Sequence, residues 1–228
     1  MAIIPARGGS KRLPHKNKKK LAGKELVRYA IEAAMGAKKI TSIVVSSDDH
    51  DILEIAAEYP SIITVKRPEE ISGDHAPAIT YILHALEYME TKFIFNYDII
   101  VIVQPSSPFT LGEDIDQTIS LLEENKDADS SVSVMKLNHA IHPVKMKTMV
   151  RNVLIPYLED EKGRMTSDEL PELYVRNGSV YASRIRTIKD NQIIGEKCLA
   201  YVMPNERSID INEMIDFEFA KFLMNKNG

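Results

Sequence analysis

Residues 42–66 read SIVVSSDDHDILEIAAEYPSIITVK and contain one complete strand–helix–strand unit. Residues 42–47 form a continuous β-branched run, which is typical of a strand that is buried on both faces. Residues 49–58 are predicted to be a helix, and residues 62–65 a second short strand. A helix between two such strands predicts an α/β protein with a parallel sheet.

The same alternation extends in both directions from this unit. Upstream, the apolar residues 2–4 predict a buried strand, and residues 25–37 carry apolar side chains at helical spacing. Downstream, we predict a helix over residues 76–90, a strand over 99–103 and a helix over 114–125. The chain is therefore expected to form a mostly parallel sheet with helices on both faces.

The pattern changes after about residue 130. Residues 138–175 are polar and contain no long periodic run, which is typical of an insertion. Regular elements then return, at residues 179–182, 199–202 and 213–224. We therefore assign residues 1–137 and 176–228 to one α/β core, and residues 138–175 to an inserted arm.

The composition is that of an ordinary globular protein, with 44% hydrophobic and 27% charged residues in a chain of 228 residues. No apolar run of about 18 residues occurs, which excludes a transmembrane helix. The N-terminal segment is too polar for a signal peptide. One cysteine, Cys198, excludes an internal disulfide. We expect a cytoplasmic protein with no membrane partner.

The charge is distributed unevenly along the chain. The formal net charge is -4, which disfavours nucleic acid as a partner. Residues 7–20 nevertheless hold seven of the 29 Lys and Arg residues and no acidic residue. A local positive patch on an acidic chain predicts a local anionic ligand.

This patch begins with the segment PARGGSKR, residues 5–12, directly after the first predicted strand. Adjacent glycines let the backbone approach a ligand and turn N–H groups toward a phosphate. Arg7, Lys11 and Arg12 can neutralise a triphosphate. A solvated basic turn is the alternative, but the position after a strand favours phosphate binding. The spacing fits neither GxxxxGK[ST] nor GxGxxG, which disfavours nicotinamide and flavin cofactors.

Further polar segments follow the other predicted strands. In open α/β sheets ligands bind at the carboxyl ends of the strands, so these segments are expected to face one site. They are residues 46–49, 67–76, 104–109 and 210–213. Asp49 and Asp74 have an alternative role as helix N-caps, and Pro105 and Pro108 as turn residues.

The segment IPARGGSKRLPHKN, residues 4–17, resembles the N-terminal signature of N-acylneuraminate cytidylyltransferases, also called CMP-sialic acid synthetases. Further segments match in the family's order over nearly the whole chain. They are residues 20–24, 46–49, 67–68, 72–74, 104–108, 142–143, 170–171, 177–181 and 208–211. The resemblance implies a Rossmann-like nucleotidyltransferase fold. It also implies an enzyme that transfers a cytidylyl group from CTP to an acidic nonulosonic sugar and releases pyrophosphate.

The resemblance also implies roles for individual residues. Catalysis is expected from Arg7, Lys16 and Asp210. The expected nucleotide-binding residues are Ala6, Arg7, Gly8, Gly9, Ser10, Lys16, Asn17, Arg67 and Asp74. The expected sugar-binding residues are Gln104, Ser106, Ser107, Asn177 and Tyr181. Asp210 and Asn212 are expected to bind the cofactor, Mg²⁺ or another divalent cation.

Two segments depart from the family's pattern. Residues 208–212 read SIDIN where the family has SIDID, so Asn212 replaces a carboxylate with a weaker, neutral ligand. Residues 166–169 read TSDE where many members carry an Arg and a Gln. Two alternatives stay open: a cytidylyltransferase for Kdo or a related octulosonate, and a nucleotide-binding homologue without catalysis.

In the family, the stretch that corresponds to residues 138–175 packs against a second subunit and reaches into it. The resemblance therefore implies a homodimer with a small dimerisation insertion. Arg164 or its neighbours are expected to complete the site of the partner subunit.

Overall fold

The computed structural model of the chain describes residues 1–93, 96–158 and 170–227. Within these ranges the strands are β1 (Ala2–Pro5), β2 (Lys20–Leu21), β3 (Lys24–Glu25), β4 (Ile43–Ser47), β5 (Ile62–Lys66), β6 (Ile99–Val103), β7 (Ser130–Lys136), β8 (Lys147–Val150), β9 (Val153–Pro156), β10 (Tyr174–Arg184) and β11 (Cys198–Val202). The helices are α1 (Leu26–Gly36), α2 (His50–Ala57), α3 (Ala78–Phe93), α4 (Gly112–Glu124), α5 (Ile185–Lys189) and α6 (Met214–Asn227).

Seven strands form one central sheet in the order β11–β7–β10–β6–β1–β4–β5. β1 pairs in parallel with both β4 and β6, β4 pairs in parallel with β5, and β11 pairs in parallel with β7. β10 runs antiparallel to both of its neighbours, β6 and β7. The sheet is therefore mostly parallel, which confirms the predicted α/β class.

Both faces of the sheet are covered by helices. Successive residues of a strand point to opposite faces, and in β1 Ala2 and Ile4 belong to one core cluster while Ile3 belongs to another. The first cluster includes residues of α1, α2 and α4, and the second includes residues of α3 and α5. This burial on two sides explains why the strands are uninterrupted apolar runs.

Some elements differ from the sequence-based prediction. β10 begins at Tyr174, so the predicted end of the insertion at residue 175 falls inside a strand of the core sheet. The strand is interrupted by a register shift between Arg176 and Tyr181, where Gly178 adopts a φ of 75°. That irregularity breaks the two-residue alternation of a strand, which is why its first half was not predicted.

The predicted insertion contains a hairpin formed by β8 and β9. Arg151 and Asn152 connect these strands, and both adopt positive φ angles, 47° and 68°, as the two central residues of a type I′ turn do. Arg is an unusual residue in this conformation, so the turn gave no sequence signal. The predicted roles of Arg164 and of residues 166–169 lie outside the described residues.

Candidate active site

The cleft at the carboxyl ends of the strands lies where the strand order of the sheet reverses. From β1 the chain continues to β4 and β5 on one side and later to β6 on the other, and such a switch point leaves a crevice for ligands. The cleft has a volume of about 220 Å³. Its lining residues are Pro5, Arg7, Ser10, Lys16, Asn17, Arg67, Tyr81, Gln104, Pro105 and Ser106. Seven of these ten residues were predicted as site residues, and the structure brings those seven together.

The basic loop, residues 6–19, is held in place by one hydrogen bond to the loop after β4 and by one within itself. The Gly8 N–H donates to Asp48 Oδ1 over 2.9 Å, and the Asn17 amide donates to the Arg7 carbonyl over 2.8 Å. A Cβ at Gly8 would lie 2.7 Å from Asp49 Oδ2, so only glycine fits there. Asp49 also caps α2 by accepting from the N–H groups of Asp51 and Ile52.

Three of the predicted nucleotide-binding residues therefore have a more limited role than expected. The Ala6 side chain is fully buried in the core and its N–H donates to the Ser46 carbonyl. The Gly8 N–H donates its hydrogen bond to Asp48 Oδ1. Gly9 is exposed, and a Cβ there would meet nothing within 4 Å. The glycine pair shapes the loop, and the side chains of its neighbours carry the charge.

Asp74 forms ion pairs with two cations of the basic loop. Its carboxylate lies 2.7 Å from Arg7 Nη1 and 2.5 Å from Lys11 Nζ. Hydrogen bonds from Lys11 and Arg7 lower the pKa of the Asp74 carboxyl. α3 begins at Ala78, so Asp74 does not cap this helix, and that alternative is wrong. The Asp74 carboxylate binds cations of the loop instead.

Lys16 connects the basic loop to the C-terminal loop, residues 203–213. Its Nζ donates to the Ile211 carbonyl over 2.8 Å. Burial lowers the pKa of the Lys16 ammonium, and the nearby Asp210 carboxylate acts in the opposite direction. A cation with so few water neighbours interacts strongly with an anion that enters the cleft.

Arg67 is the most buried cation of the cleft, with 4% of its surface exposed. Its Nε donates to Ser46 Oγ over 3.1 Å and its Nη2 to the Ser46 carbonyl over 2.9 Å. The guanidinium lies 4.5 Å from the centre of the Tyr81 ring. Burial lowers the pKa of Arg67 and raises the pKa of Tyr81 to about 12. No described carboxylate forms a salt bridge with Arg67, so an anionic or strongly polar ligand would compensate its charge.

Tyr81 was missed by sequence reasoning. It lies within α3, where an aromatic residue at helical spacing is expected in the core, and it does pack there. Its ring nevertheless lines the cleft beneath Arg67. The spacing of the helix gave no sign of this second role, because the contact depends on where α3 crosses the sheet.

The predicted sugar-binding residues divide into two groups. Gln104 and Ser106 line the cleft. Ser107 and Asn177 are buried and are not among its lining residues, and Tyr181, which does not line it either, is partly buried against the core. The Asn177 amide is fully used: its oxygen accepts from Ser133 and its nitrogen donates to Ser208 Oγ over 2.9 Å. The structure therefore gives Asn177 a supporting position behind the cleft.

Three further contacts hold the C-terminal loop in place. Arg207 binds the fully buried carboxylate of Asp114 through both terminal guanidinium nitrogens, Nη1 and Nη2. Asn177 binds Ser208, and the Ile211 N–H donates to the Ser106 carbonyl over 2.8 Å. These contacts bring Asp210 to the same edge of the sheet as the basic loop.

Asp210 lies between Gly178 and Asn212. A Cβ at Gly178 would lie 3.2 Å from Asp210 Oδ2, and the Asn212 Nδ2 donates to that same oxygen over 2.7 Å. The Asn212 oxygen accepts from Arg12 Nη2 over 2.9 Å. No described residue donates a hydrogen bond to Asp210 Oδ1, which leaves one carboxylate oxygen for a ligand.

The residues at this position fit a magnesium ion with one protein carboxylate. Mg²⁺ is commonly held by one or two carboxylates together with phosphate oxygens and water. Asp210 Oδ1 offers such an oxygen next to a cationic cleft. The predicted second ligand, Asn212, fits less well, because its only possible ligand atom is engaged by the Arg12 guanidinium.

A mostly parallel α/β sheet with a cationic crevice at its switch point defines a nucleotide-binding protein of the nucleotidyltransferase type. Residues 1–203 match the family model described as Cytidylyltransferase. The chain belongs to the cytidylyltransferase family. Asp210 lies beyond the matched residues.

Individual relatives share somewhat more than a quarter of their residues with this chain. A CMP-N,N'-diacetyllegionaminic acid synthase of Legionella pneumophila is 29% identical, with 100% of this chain and 97% of the relative covered. A pseudaminic acid cytidylyltransferase of Campylobacter jejuni is 28% identical over the same shares. An N-acylneuraminate cytidylyltransferase of Escherichia coli is 29% identical, and this chain spans 52% of its length.

Solved structures show the same fold at lower sequence identity. A CMP:2-keto-3-deoxy-manno-octonic acid synthetase complexed with CTP superposes with a TM-score of 0.70 at 16% identity, covering 100% of this chain and 98% of the other. The 4-diphosphocytidyl-2C-methyl-D-erythritol synthase of Anaerococcus prevotii gives a TM-score of 0.67 at 15% identity, covering 98% and 95%. These likenesses confirm the predicted nucleotidyltransferase fold.

None of the helices in the described part of the chain combines the length and the apolar character that crossing a bilayer requires.

Proposed function

We propose that this cytidylyltransferase uses CTP to activate an acidic nonulosonic sugar, a sialic acid or a relative such as legionaminic or pseudaminic acid. The observation that carries the proposal is the convergence of Arg7, Lys16 and Arg67 on one cleft, which Gln104 and Ser106 also line. Three cations suit a triphosphate. The relatives named for nonulosonic acids support the acceptor.

In the proposed reaction, the anomeric hydroxyl oxygen of the sugar attacks the α-phosphorus of CTP. The bond from that phosphorus to the bridging oxygen breaks, pyrophosphate leaves with the electron pair, and the hydroxyl proton passes to solvent. Arg7 and Lys16 neutralise the β- and γ-phosphates, and Arg67 and Tyr81 form the wall of the nucleotide end. Catalysis then consists mainly of alignment and charge neutralisation by fixed groups.

Asp210 would hold a divalent cation at the junction of the two substrates. When bound, such an ion polarises the phosphoryl oxygens and stabilises the charge that develops on them. Within the chain, Asn212 fixes the Asp210 carboxylate by a hydrogen bond, and Gly178 leaves room for that carboxylate because it has no side chain. Lys16 fixes the loop that carries Asp210. CTP is a cytoplasmic nucleotide, so we place the reaction in the cytoplasm.

Pyrophosphate release from CTP and Mg²⁺, measured with a panel of acidic sugars, tests the proposal. We expect release with N-acetylneuraminate, legionaminate or pseudaminate. Release with Kdo alone would assign the chain to the octulosonate enzymes. Binding of CTP without release from any sugar would identify a homologue without catalysis, and either result would overturn the proposal.

Replacing Arg7 with Ala is expected to lower kcat/KM for CTP by about 100-fold, because one fixed cation facing a developing charge is worth this much in a cleft. The stability should hardly change, since the side chain is 34% exposed and its partner Asp74 keeps Lys11. Steady-state kinetics and thermal unfolding measure the two effects. Lys189→Ala is the matched control, because Lys189 is an exposed base of α5 that lies outside the cleft and pairs with Glu90 over 3.3 Å. Near-normal turnover of the Arg7 variant would contradict its assignment.

We further propose that the chain forms a homodimer through the hairpin of β8 and β9. Every residue of both strands is exposed, and several are large and apolar: Met149, Val150, Val153, Leu154 and Ile155. An apolar patch of this kind on a surface is typical of a protein–protein interface. Replacing Leu154 with Glu is expected to shift the mass in light scattering from dimer to monomer. A monomeric parent protein would contradict the proposal.

A further inference from the structure

Asn212 lies between a cation and an anion that come from opposite ends of the chain. Its Oδ1 accepts from Arg12 of the basic loop over 2.9 Å, and its Nδ2 donates to Asp210 Oδ2 over 2.7 Å. Its backbone N–H is bound to Asp216 Oδ2 over 2.9 Å, which fixes the residue itself. The side chain therefore forms a bridge with defined partners on both sides.

The orientation of this amide follows from the chemistry of its neighbours. A guanidinium can only donate hydrogen bonds, and an ionised carboxylate can only accept them. Rotating the amide by half a turn would place its NH₂ against Arg12 and its oxygen against Asp210, and both hydrogen bonds would be lost. The amide oxygen thus faces a positive charge, where a metal ion would be repelled.

An amide is suited to this bridge in a way that a carboxylate is not. Aspartate at position 212 could accept from Arg12, but it has no N–H to offer Asp210, and the two neighbouring carboxylates would repel each other. Asparagine joins a donor and an acceptor in one rigid group. The replacement of a carboxylate at this position therefore adds a link between Arg12 and Asp210.

We propose that Asn212 is a positioning residue that holds the Asp210 carboxylate and links it to Arg12, so that polyphosphate binding at the basic loop and cation binding at Asp210 favour each other. The proposal rests on the proposed function insofar as the polyphosphate is that of CTP. By linkage, the coupling is reciprocal: the cation tightens the nucleotide by the same factor as the nucleotide tightens the cation.

The first test is Mn²⁺ binding without nucleotide, measured from the electron paramagnetic resonance signal of the free ion. We expect Asn212→Ala to bind Mn²⁺ within about threefold of the parent protein, because the residue is no ligand. A loss of tenfold or more would show that the amide oxygen coordinates the ion, and the proposal would be wrong. Asn212→Asp adds a carboxylate and is expected to bind Mn²⁺ more tightly, which calibrates the assay.

The second test measures the coupling itself as the ratio of dissociation constants for a non-hydrolysable CTP analogue without and with Mn²⁺. Asn212→Ala and Arg12→Met are each expected to lower this ratio about five- to tenfold. The double variant should lower it no further, because both changes remove the same link. Effects that multiply in the double variant, or a ratio that stays at the parent value, would overturn the proposal.

Lys189→Ala is again the control and should leave the ratio unchanged. Arg12 is exposed, so Arg12→Met is expected to fold even if Asn212→Ala does not. Neither test uses a sugar or depends on turnover. If no sugar on the panel releases pyrophosphate, the proposed function fails while the link is still decided by the binding data. If the analogue does not bind, the Mn²⁺ measurement alone decides whether Asn212 is a ligand.

Discussion

Replacing Asp210 with Asn is expected to lower kcat/KM by about 10³-fold or more, the largest effect of any single change in the cleft. The substitution removes the charged oxygen proposed to hold the divalent cation, and that cation would stabilise the negative charge that develops on the phosphates. The fold should be kept, because an Asn side chain at position 210 can still accept from Asn212 with its oxygen. Pyrophosphate release gives the rate, and urea unfolding gives the stability.

Two comparisons make this result specific. Asn212→Ala, which leaves the Asp210 charge in place, is expected to lose tenfold or less in kcat/KM. Raising the Mg²⁺ concentration should recover much of the lost activity of Asn212→Ala, because loss of the link weakens cation binding to the nucleotide complex by the same factor. It should recover little for Asp210→Asn, which lacks the carboxylate proposed to hold the cation. If kcat/KM of the Asp210→Asn variant stays within tenfold of the parent protein, Asp210 does not take part in the reaction.

Replacing Arg207 with Met is expected to lower the free energy of unfolding by about 3–5 kcal/mol, because it leaves a buried carboxylate without its counter-ion. Asp114 is fully buried, and Arg207 binds both of its oxygens. The remaining partners of Asp114, the Leu111 N–H at 2.8 Å and the Tyr201 hydroxyl at 3.3 Å, do not neutralise it. Urea unfolding monitored by circular dichroism measures the loss.

The double variant Arg207→Met with Asp114→Asn should recover much of this loss, since it removes the unpaired charge itself. Arg186→Met is the matched control: Arg186 pairs with Asp129 over 3.1 Å at the surface, and surface pairs contribute about 1 kcal/mol or less. Equal losses for Arg207 and Arg186 would show that burial of Asp114 does not determine the energy of its ion pair.

The sequence was sufficient to predict the central part of the fold. β1, β4 and β6 are uninterrupted apolar runs, and the helices between them have a regular apolar spacing, so local pattern and tertiary environment agree. β10 and α5 were missed in part or entirely. The bulge of β10 and the five-residue length of α5 leave too few periods for a pattern to be recognised.

The cleft could be predicted less completely, because its residues act through contacts over long sequence distances. The positions after β1 and β6 indicated Arg7 and Gln104, and the resemblance added Lys16 and Arg67. Nothing in the sequence indicated that the Gly8 N–H would be used by Asp48, or that Asn177 would support the C-terminal loop. Such assignments depend on which strands are neighbours, and local pattern does not contain this information.

The hydrogen bond from Lys16 to the Ile211 carbonyl joins residues that are 195 positions apart. During synthesis at about 5–20 residues per second, Lys16 precedes its partner by about 10–40 s. Over that interval the growing chain can form the central strands of the sheet, while the hydrogen bond from Lys16 to the C-terminal loop cannot yet form. The cleft therefore acquires its final shape only after residue 211 has left the ribosome, so nucleotide affinity should report on whether the C-terminal loop has docked.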